Sequence, residues 1–331
     1  MANTELNSTD KLDLDNKLEC ASITSFQFIL LPVVYSVVCC LGLMENFFYL
    51  WNLLTKKYTT VYQNPFMVSL AAMDLLFALS LPLLIVYHAK GNDWIFGEVL
   101  CKISMSLYLS NIYGSPLILT CISLERYISV VHPVRNIQLG KSTYKIILSC
   151  CIWAGIIIII LGLTCTGKLT NAFQNNKTAC MENFSGSEFT DRIGIISMFA
   201  SFVGFVVPYF VLIICYSLMI CKLRTLLGES PATLNIKKKS TRTILIVMTV
   251  LTVCFLPYHT IQIVNYFSFL KNPNDSETMH TFCISYRIAL AAASFNSCLD
   301  PVVYYYQTTG FKLRMSNSHS QAVFSVTTNF N

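Results

Sequence analysis

The chain alternates long apolar blocks with short polar connections. Each block is long enough to cross the hydrocarbon core of a bilayer as a helix, which takes about 20 residues. The connections are too short and too polar to cover seven buried helices of a soluble protein. We therefore predict an all-α membrane protein that folds as a seven-transmembrane helix bundle. The seven blocks are Phe28–Leu54, Phe66–Tyr87, Val99–Leu124, Ile146–Leu163, Ile193–Leu223, Ile244–Leu270 and Phe282–Tyr306.

This pattern makes the bundle the single domain of the chain, over residues 27–314. Residues 1–26 then form an N-terminal tail, and residues 315–331 form a C-terminal tail. The N-terminal tail has no short apolar core near Met1, so we expect no cleaved signal peptide.

Charge is sparse and unevenly distributed. Only 12% of the residues are charged and 54% are hydrophobic, whereas a soluble domain usually has about 25% charged residues. The connections after the first, third and fifth blocks collect cations such as Lys57, Arg135 and Lys238 with few acids. Because cytoplasmic loops carry an excess of Lys and Arg, we predict a multi-pass plasma membrane protein with an extracellular N-terminus. The net charge of +6 thus reflects topology and does not indicate nucleic-acid binding.

Glycosylation sequons and cysteines agree with this orientation. The four Asn-x-Ser/Thr sequons all fall in segments predicted to be extracellular. Four of the 14 cysteines also face this oxidising side, where disulfides persist, and they allow three connectivities. The sequon asparagines are Asn7, Asn176, Asn183 and Asn274, and the cysteines are Cys20, Cys101, Cys180 and Cys283.

Several polar residues stand inside the apolar blocks, where they are costly. Asp74 lies in the middle of the second block, Glu45 and Asn46 lie in the first, and Asp300 lies in the seventh. A charge at the bilayer centre costs about 2.5–3.5 kcal/mol even on insertion scales. We expect these side chains to face the bundle interior, either as a structural hub of hydrogen bonds or as part of a functional site.

Short motifs mark three of the blocks, namely Leu124–Tyr127 at the end of the third, Cys254–Pro257 within the sixth and Asp300–Tyr304 at the end of the seventh. They resemble the signature motifs of rhodopsin-like G-protein-coupled receptors, in the same order and each on the expected span. The resemblance covers about Leu31–Arg314, and Phe311–Arg314 resembles the start of a short amphipathic eighth helix. Further residues that carry it, one or two to a span, are Asn46, Asp74, Trp153, Pro208 and Tyr216.

The resemblance implies how such a chain signals. Arg126, between Glu125 and Tyr127, is a cation that keeps its charge in any environment, and in the family this arginine contacts the heterotrimeric G protein on activation. Pro257 removes a backbone hydrogen bond and kinks its helix, so that the cytoplasmic end of the sixth span can swing outward. Arrestin is a further expected partner. The other residues that the resemblance assigns to activation are Tyr216, Phe255, Asp300, Pro301 and Tyr304.

The resemblance also implies an allosteric sodium ion, while no cofactor is expected. Hard cations bind oxygen ligands, and the interior of the second, third and seventh spans supplies carboxylate, amide and hydroxyl oxygens. The residues expected to hold the ion are Asp74, Asn111, Ser115, Asn296 and Asp300.

Three positions depart from the family pattern. Phe255 replaces the more usual tryptophan, so the floor of the pocket is apolar there. Asp300 replaces the more usual asparagine, which puts two acids near the sodium position. Lys237 stands where some receptors carry an acid that locks the arginine, and it repels Arg126 instead. We therefore expect Glu125 and packing to restrain Arg126 at rest.

The resemblance implies two disulfides. Cys101 and Cys180 are expected to pair as in the family, which pins the loop before the fifth span over the pocket mouth. Cys20 then pairs with Cys283, as in receptors of the purinoceptor-like branch. Free thiols or intermolecular bonding remain the alternative for the second pair.

Further passages are similar to the purinoceptor-like branch, with its receptors for lysophosphatidic acid, lipid mediators and protons. They include Gly97–Ser104, Asn111–Ser115 and Asn296–Tyr305. Tyr108 occupies the height on the third span where amine receptors hold their cation on a carboxylate, so an amine ligand is disfavoured. The branch leaves open a lipid, a nucleotide or a proton as the signal.

Cations over an aromatic pocket favour an extracellular anionic lipid that resembles a lysophospholipid. Lys90, Lys168, Arg192 and Arg287 can ring the outer mouth. The alternatives are that the lysines snorkel to membrane lipid headgroups and that Arg287 pairs with Glu277 or another loop acid. The remaining residues predicted to bind the ligand are Tyr87, Tyr108, Tyr258, His259, Gln262 and Tyr286.

Each alternative function would require particular residues. Nucleotide receptors of the branch typically carry a cation three residues after the sixth-span histidine, where this chain has Gln262, and Leu290 stands where a further cation often sits. Proton sensing would rest on His88, His259 and His280. A non-signalling scavenger receptor also remains open. The sequence has none of the motifs of an enzyme and no repeats of a transporter.

Overall fold

The computed structural model describes residues 26–55, 65–132, 142–173, 176–182, 184, 188–224, 231–272 and 276–303. Within these ranges, seven helices are long and apolar enough to cross a membrane, as the apolar blocks predict. The expected eighth helix at Phe311–Arg314 and both predicted tails lie outside the described residues, apart from Phe26 at the end of the N-terminal one.

Four regular helices form the first half of the bundle. They are α1 (Gln27–Thr55), α2 (Pro65–Ala89), α3 (Gly97–Val131) and α4 (Ser142–Cys165). A hairpin of strands β1 (Thr170–Phe173) and β2 (Lys177–Cys180) follows α4. The strands are antiparallel, and Thr170 is paired with Cys180.

Helices α5 and α6 are interrupted by π-helical turns. Helix α5 spans Phe189–Arg224 with π turns at Phe189–Ile193 and Phe202–Val206. Helix α6 is formed by Pro231–Val250, a π turn at Leu251–Phe255, and Leu256–Lys271. Helix α7 begins with Ser276–Ser294, and after a turn its helical course continues to residue 303.

Two of the π turns come just before a proline. Pro208 follows the turn at Phe202–Val206, and Pro257 follows the turn at Leu251–Phe255. Proline has no N–H and its ring clashes with the carbonyl four residues earlier, and a wider turn relieves both constraints. The interruption predicted in the sixth span at Pro257 is therefore a π turn on the N-terminal side of the proline.

Helix α3 lies at the centre of the bundle. It packs against α2, α4, α5 and α6, while α7 closes the ring by contacting both α1 and α6. Asn46 strengthens that closure, because its side-chain amide donates to the carbonyl oxygen of Ser297 on α7 over 3.1 Å. Many large apolar side chains face outward, among them Phe48 and Ile158. In a bilayer this outer surface contacts lipid tails instead of water, so these exposed apolar side chains do not destabilise the fold.

Candidate functional site

The hairpin after α4 is fixed over the outer end of the bundle. Cys101 at the start of α3 is disulfide-bonded to Cys180 at the end of β2, which confirms the first predicted disulfide. The carboxylate of Glu98 accepts hydrogen bonds from the backbone N–H groups of Leu169 at 2.8 Å and Thr170 at 2.9 Å. These contacts hold both strands against the first turn of α3.

Only one cysteine of the second predicted disulfide lies among the described residues. Cys283 on α7 is disulfide-bonded, whereas Cys20 lies outside the described residues. The pairing of Cys20 with Cys283 stays a prediction.

We expect the double variant Cys101→Ser/Cys180→Ser to lose most ligand potency while its bundle still folds. The bond fixes the loop that carries Glu182, and removing a native disulfide typically costs about 2–5 kcal/mol. Agonist dose–response curves at matched surface expression would measure the loss. Cys165→Ser is the matched control, because Cys165 is an exposed free cysteine near the same end of the bundle. Unchanged potency in the double variant would show that the bond does not shape the pocket.

Beneath the hairpin lies a cavity of about 1250 Å³, including the part that opens to solvent. Helices α1, α2, α3, α5, α6 and α7 and the loop after β2 all contribute to its walls. Most of the lining is apolar or aromatic, as at Leu84, Met105, Phe184 and Met198. Among the residues predicted to bind the ligand, those that line it are Tyr87, Tyr108, Tyr258, Gln262, Tyr286 and Arg287.

Arg287 is the only Lys or Arg among the described residues that line the cavity. It is 3% exposed, and its Nη2 lies 2.5 Å from Oε2 of Glu182, two residues after Cys180. Its Nε is buried and has no hydrogen-bond partner. Arg287 therefore pairs with a loop acid, as one of the two alternatives predicted, although the acid is Glu182. The side-chain surroundings of Glu277 lie outside the described residues.

The structure corrects the predicted ring of cations. Lys90 and Lys168 are exposed and do not line the cavity. Arg192 faces the end of α4, where its guanidinium donates to the carbonyl oxygens of Leu163 at 3.3 Å and Lys168 at 3.1 Å. The free carbonyls at a helix C-terminus attract cations. These hydrogen bonds hold Arg192 at the end of α4, so its side chain does not line the cavity.

His259 also lies behind the cavity lining. It is buried, its ring stacks on Phe205 with centroids 4.4 Å apart, and its Nδ1 lies 3.1 Å from the hydroxyl of Ser201. The same hydroxyl donates to Oε1 of Gln262 at 3.0 Å, and Nε2 of Gln262 lies 3.5 Å from the hydroxyl of Tyr113. Through the hydroxyl of Ser201, His259 thus helps to position Gln262, which lines the cavity.

The residues predicted to hold sodium come together in the interior. Asp74, Asn111, Ser115, Asn296 and Asp300 are all buried. Nδ2 of Asn111 donates to Asp74 at 2.8 Å, and Nδ2 of Asn296 donates to Asp300 at 3.1 Å. Oxygens of four of these side chains are buried without a hydrogen-bond partner, namely Asn111 Oδ1, Ser115 Oγ, Asn296 Oδ1 and Asp300 Oδ1. Unsatisfied oxygens around two carboxylates fit a small hard cation.

Near the C-terminal end of α3, Glu125 forms an ion pair with Lys145 of α4, with Nζ and Oε1 2.6 Å apart. The carboxylate that was expected to restrain Arg126 is therefore paired with Lys145. Arg126 and Tyr127 are half-buried at the end of α3. Tyr304 lies outside the described residues, so its role in activation stays a prediction.

Comparison with known proteins identifies a family for this seven-helix chain. The profile of the seven-transmembrane receptors of the rhodopsin family matches residues 45–304. The chain belongs to this family. It is 34% identical to purinoceptor 2 of Mus musculus over 292 residues, which is 87% of this chain and 76% of the relative. It is 31% identical to purinoceptor 1 of Gallus gallus over 297 residues, which is 89% of this chain and 81% of the relative.

A third relative is G-protein coupled receptor 183 of Bos taurus, which is 31% identical over 298 residues, covering 87% of this chain and 80% of the relative. These similarities confirm the predicted purinoceptor-like branch. The receptor is thus a multi-pass membrane protein rather than an enzyme, and its family implies coupling to G proteins. Receptors of this family need no cofactor, and sodium is only an optional allosteric ion.

Glu182 and Tyr35 are among the lining residues that the sequence analysis missed. Glu182 stands two positions after Cys180, so the predicted disulfide could have placed it at the mouth. Tyr35 on α1 lines the cavity and is fully buried. Its position on the inner face of α1 had no signal, because that helix is apolar on all sides.

Proposed function

We propose that this receptor binds an extracellular anionic lipid in its outer cavity and activates heterotrimeric G proteins in response. The observation that carries the proposal is the cavity lining, in which long apolar and aromatic walls surround one buried cation, Arg287. An acyl chain fits the walls, because burying apolar surface is favourable by about 25 cal/mol per Å². Arg287 then recognises the acidic end with charge-assisted hydrogen bonds.

The charge of the cavity also limits how many negative charges a ligand can bring. Glu182 and Arg287 are the charged residues among the described lining, and they neutralise each other. A nucleoside triphosphate would bring several negative charges toward a single cation that already has an acidic partner. Buried charges that lack partners are expensive, so this lining favours a lipid with few charges.

Nucleotide binding is the second candidate, because two of the relatives are named purinoceptors. In this receptor Gln262 and Leu290 line the cavity where nucleotide receptors of the branch typically carry cations. Proton sensing has less support, since His88 and His259 are buried, with Nδ1 of His88 2.6 Å from Oδ1 of Asn92. His280 is exposed.

We assign the signalling roles as the family resemblance implies. Arg126, flanked by Glu125 and Tyr127, contacts the G protein when the cytoplasmic end of α6 moves. The π turn before Pro257 supplies a point where α6 can bend, because π bulges often mark functional positions in helices. The other residues of this path are Tyr216, Phe255, Asp300, Pro301 and Tyr304, and arrestin binds the same face.

The proposed orientation places the N-terminus outside the plasma membrane. Asn176 supports it, because this sequon asparagine is exposed at the turn of the hairpin that covers the cavity. The other sequon asparagines, Asn7, Asn183 and Asn274, lie outside the described residues. Membrane lipids surround the bundle.

G-protein dissociation in cells that express the receptor tests the proposal. The probes are 1-oleoyl-lysophosphatidic acid, oleate, uridine and adenosine nucleotides, and a pulse of acid, each applied to cells with and without the receptor. We expect a lipid to activate and the nucleotides and acid to have no effect. Activation by a nucleotide or by acid alone would overturn the lipid proposal. Lipid binding without G-protein dissociation would instead indicate a scavenger receptor.

A further inference from the structure

Three tyrosine hydroxyls are buried without a partner on one side of the cavity. Tyr35 of α1, Tyr87 of α2 and Tyr108 of α3 are 0%, 1% and 4% exposed, and all three line the cavity. Their hydroxyl oxygens make no hydrogen bond of normal geometry with the described residues. Burying an unpaired polar group is costly, and such groups in a native fold call for a partner that the protein chain does not supply.

The three side chains are held by aromatic packing. The ring of Tyr35 lies 5.8 Å from the ring of His88, and the ring of Tyr87 lies 4.8 Å from it. The ring of Tyr108 lies 5.3 Å from that of Phe77. Because three different helices fix these rings, their hydroxyls are positioned before any ligand arrives, which lowers the entropy cost of binding.

The three tyrosines line the same cavity as Arg287. Arg287 adds a fourth unused donor, since its Nε is buried without a partner. The cavity lining therefore offers three O–H groups and one N–H group to the head group of a ligand.

We propose that Tyr35, Tyr87, Tyr108 and Arg287 form a subsite for a carboxylate, the head group of the lipid in the function proposed above. A carboxylate has two oxygens with about four lone-pair positions, which matches the number of free donors. An alcohol has only two acceptor positions and would leave donors unpaired. The inference rests on the proposed function, because it names the acidic group of that ligand and where the group lies.

Glu182 sets the charge of the accepted head group. Its carboxylate already holds Nη2 of Arg287, so an acid that binds at Nε lies near a second negative charge. A phosphate monoester carries about −1.5 to −2 charges at pH 7, and with Glu182 nearby the excess would be poorly compensated. The single negative charge of a carboxylate is repelled less.

Equilibrium binding to the purified full-length receptor in lipid nanodiscs tests the subsite. The probes share one chain length and differ in the head group, namely oleate, oleyl alcohol and 1-oleoyl-lysophosphatidic acid. The variants are Tyr35→Phe, Tyr87→Phe and Tyr108→Phe, each of which removes one hydroxyl and keeps the ring. Tyr209→Phe is the matched control, because its hydroxyl bonds to that of Thr252 on α6 and does not line the cavity.

We expect oleate to bind the wild type more tightly than either other probe. Each subsite variant should weaken oleate binding by roughly 10-fold or more, the effect of one hydrogen bond to a charged group, and weaken oleyl alcohol binding less. Glu182→Gln should tighten oleate binding by about 10-fold, because the competing carboxylate is gone. Thermal unfolding of each variant in the absence of probe shows whether it is folded.

The outcomes separate this inference from the proposed function. A lipid acid that binds equally well to all three subsite variants overturns the subsite and leaves the lipid receptor standing. Tighter binding of 1-oleoyl-lysophosphatidic acid than of oleate overturns the choice of a carboxylate. If none of the three lipids binds while a nucleotide activates, the proposed function fails and the subsite fails with it.

Discussion

Replacing Arg126 with alanine is expected to abolish G-protein activation while agonist affinity at the outer cavity stays within a few-fold of the wild type. Arg126 lies near the C-terminal end of α3, whereas Arg287 lines the cavity from the first half of α7, toward the opposite end of the bundle. A lost charge-assisted contact is worth about 1.5–3 kcal/mol, or roughly 10- to 150-fold at 1.4 kcal/mol per decade. The loss of activation should reach the upper end of this range or exceed it, because the guanidinium offers several donors at once.

Two further variants sharpen this test. Arg224→Ala removes the same charge from an exposed site near the cytoplasmic end of α5 and should change activation by only a few-fold. Arg126→Lys keeps the charge without the planar fork and should recover only part of the activity. G-protein dissociation is measured at matched surface expression. Full activation by Arg126→Ala would show that this receptor signals without the arginine that its family uses.

Replacing Arg287 with methionine is expected to destabilise the receptor strongly, because Glu182 then keeps a charge with no cation beside it. Removing one partner of a buried ion pair typically costs about 3–5 kcal/mol. The double variant Arg287→Met/Glu182→Gln removes both charges and should recover most of the thermal stability. Thermal unfolding of the purified variants measures both effects. A single variant as stable as the wild type would contradict the pairing of Arg287 with Glu182.

The same two variants separate a structural role of Arg287 from a role in binding. If Arg287 holds the ligand's acid, potency of an anionic agonist falls by roughly 10- to 150-fold in the single variant, and the double variant does not recover it. If Arg287 only anchors the loop, potency returns together with stability. Dose–response curves at matched surface expression distinguish these outcomes, and Arg192→Met serves as the control for a half-buried arginine away from the cavity.

The sequence by itself determined the architecture of this protein. Seven apolar blocks predicted seven spans, because a bilayer accepts only segments whose backbone groups are paired internally and whose length matches its thickness. The costly residues Asp74 and Asp300 predicted a polar interior, and the structure buries both. The first disulfide followed from the family resemblance at Cys101 and Cys180. The spans and the polar interior depend on local composition and spacing, which the chain carries directly, whereas the disulfide pairing depended on the resemblance.

Only the tertiary structure decided which cations reach the cavity. Lys90, Lys168 and Arg192 were predicted to ring the outer mouth together with Arg287, yet Arg287 alone of these four lines the cavity. Its partner Glu182 is 105 residues away along the chain, and no spacing rule links two such positions. The buried hydroxyl of Tyr35 was hidden for a related reason. Lipid makes the outside of a membrane helix as apolar as its inside, so a hydrophobic pattern cannot show which face turns inward.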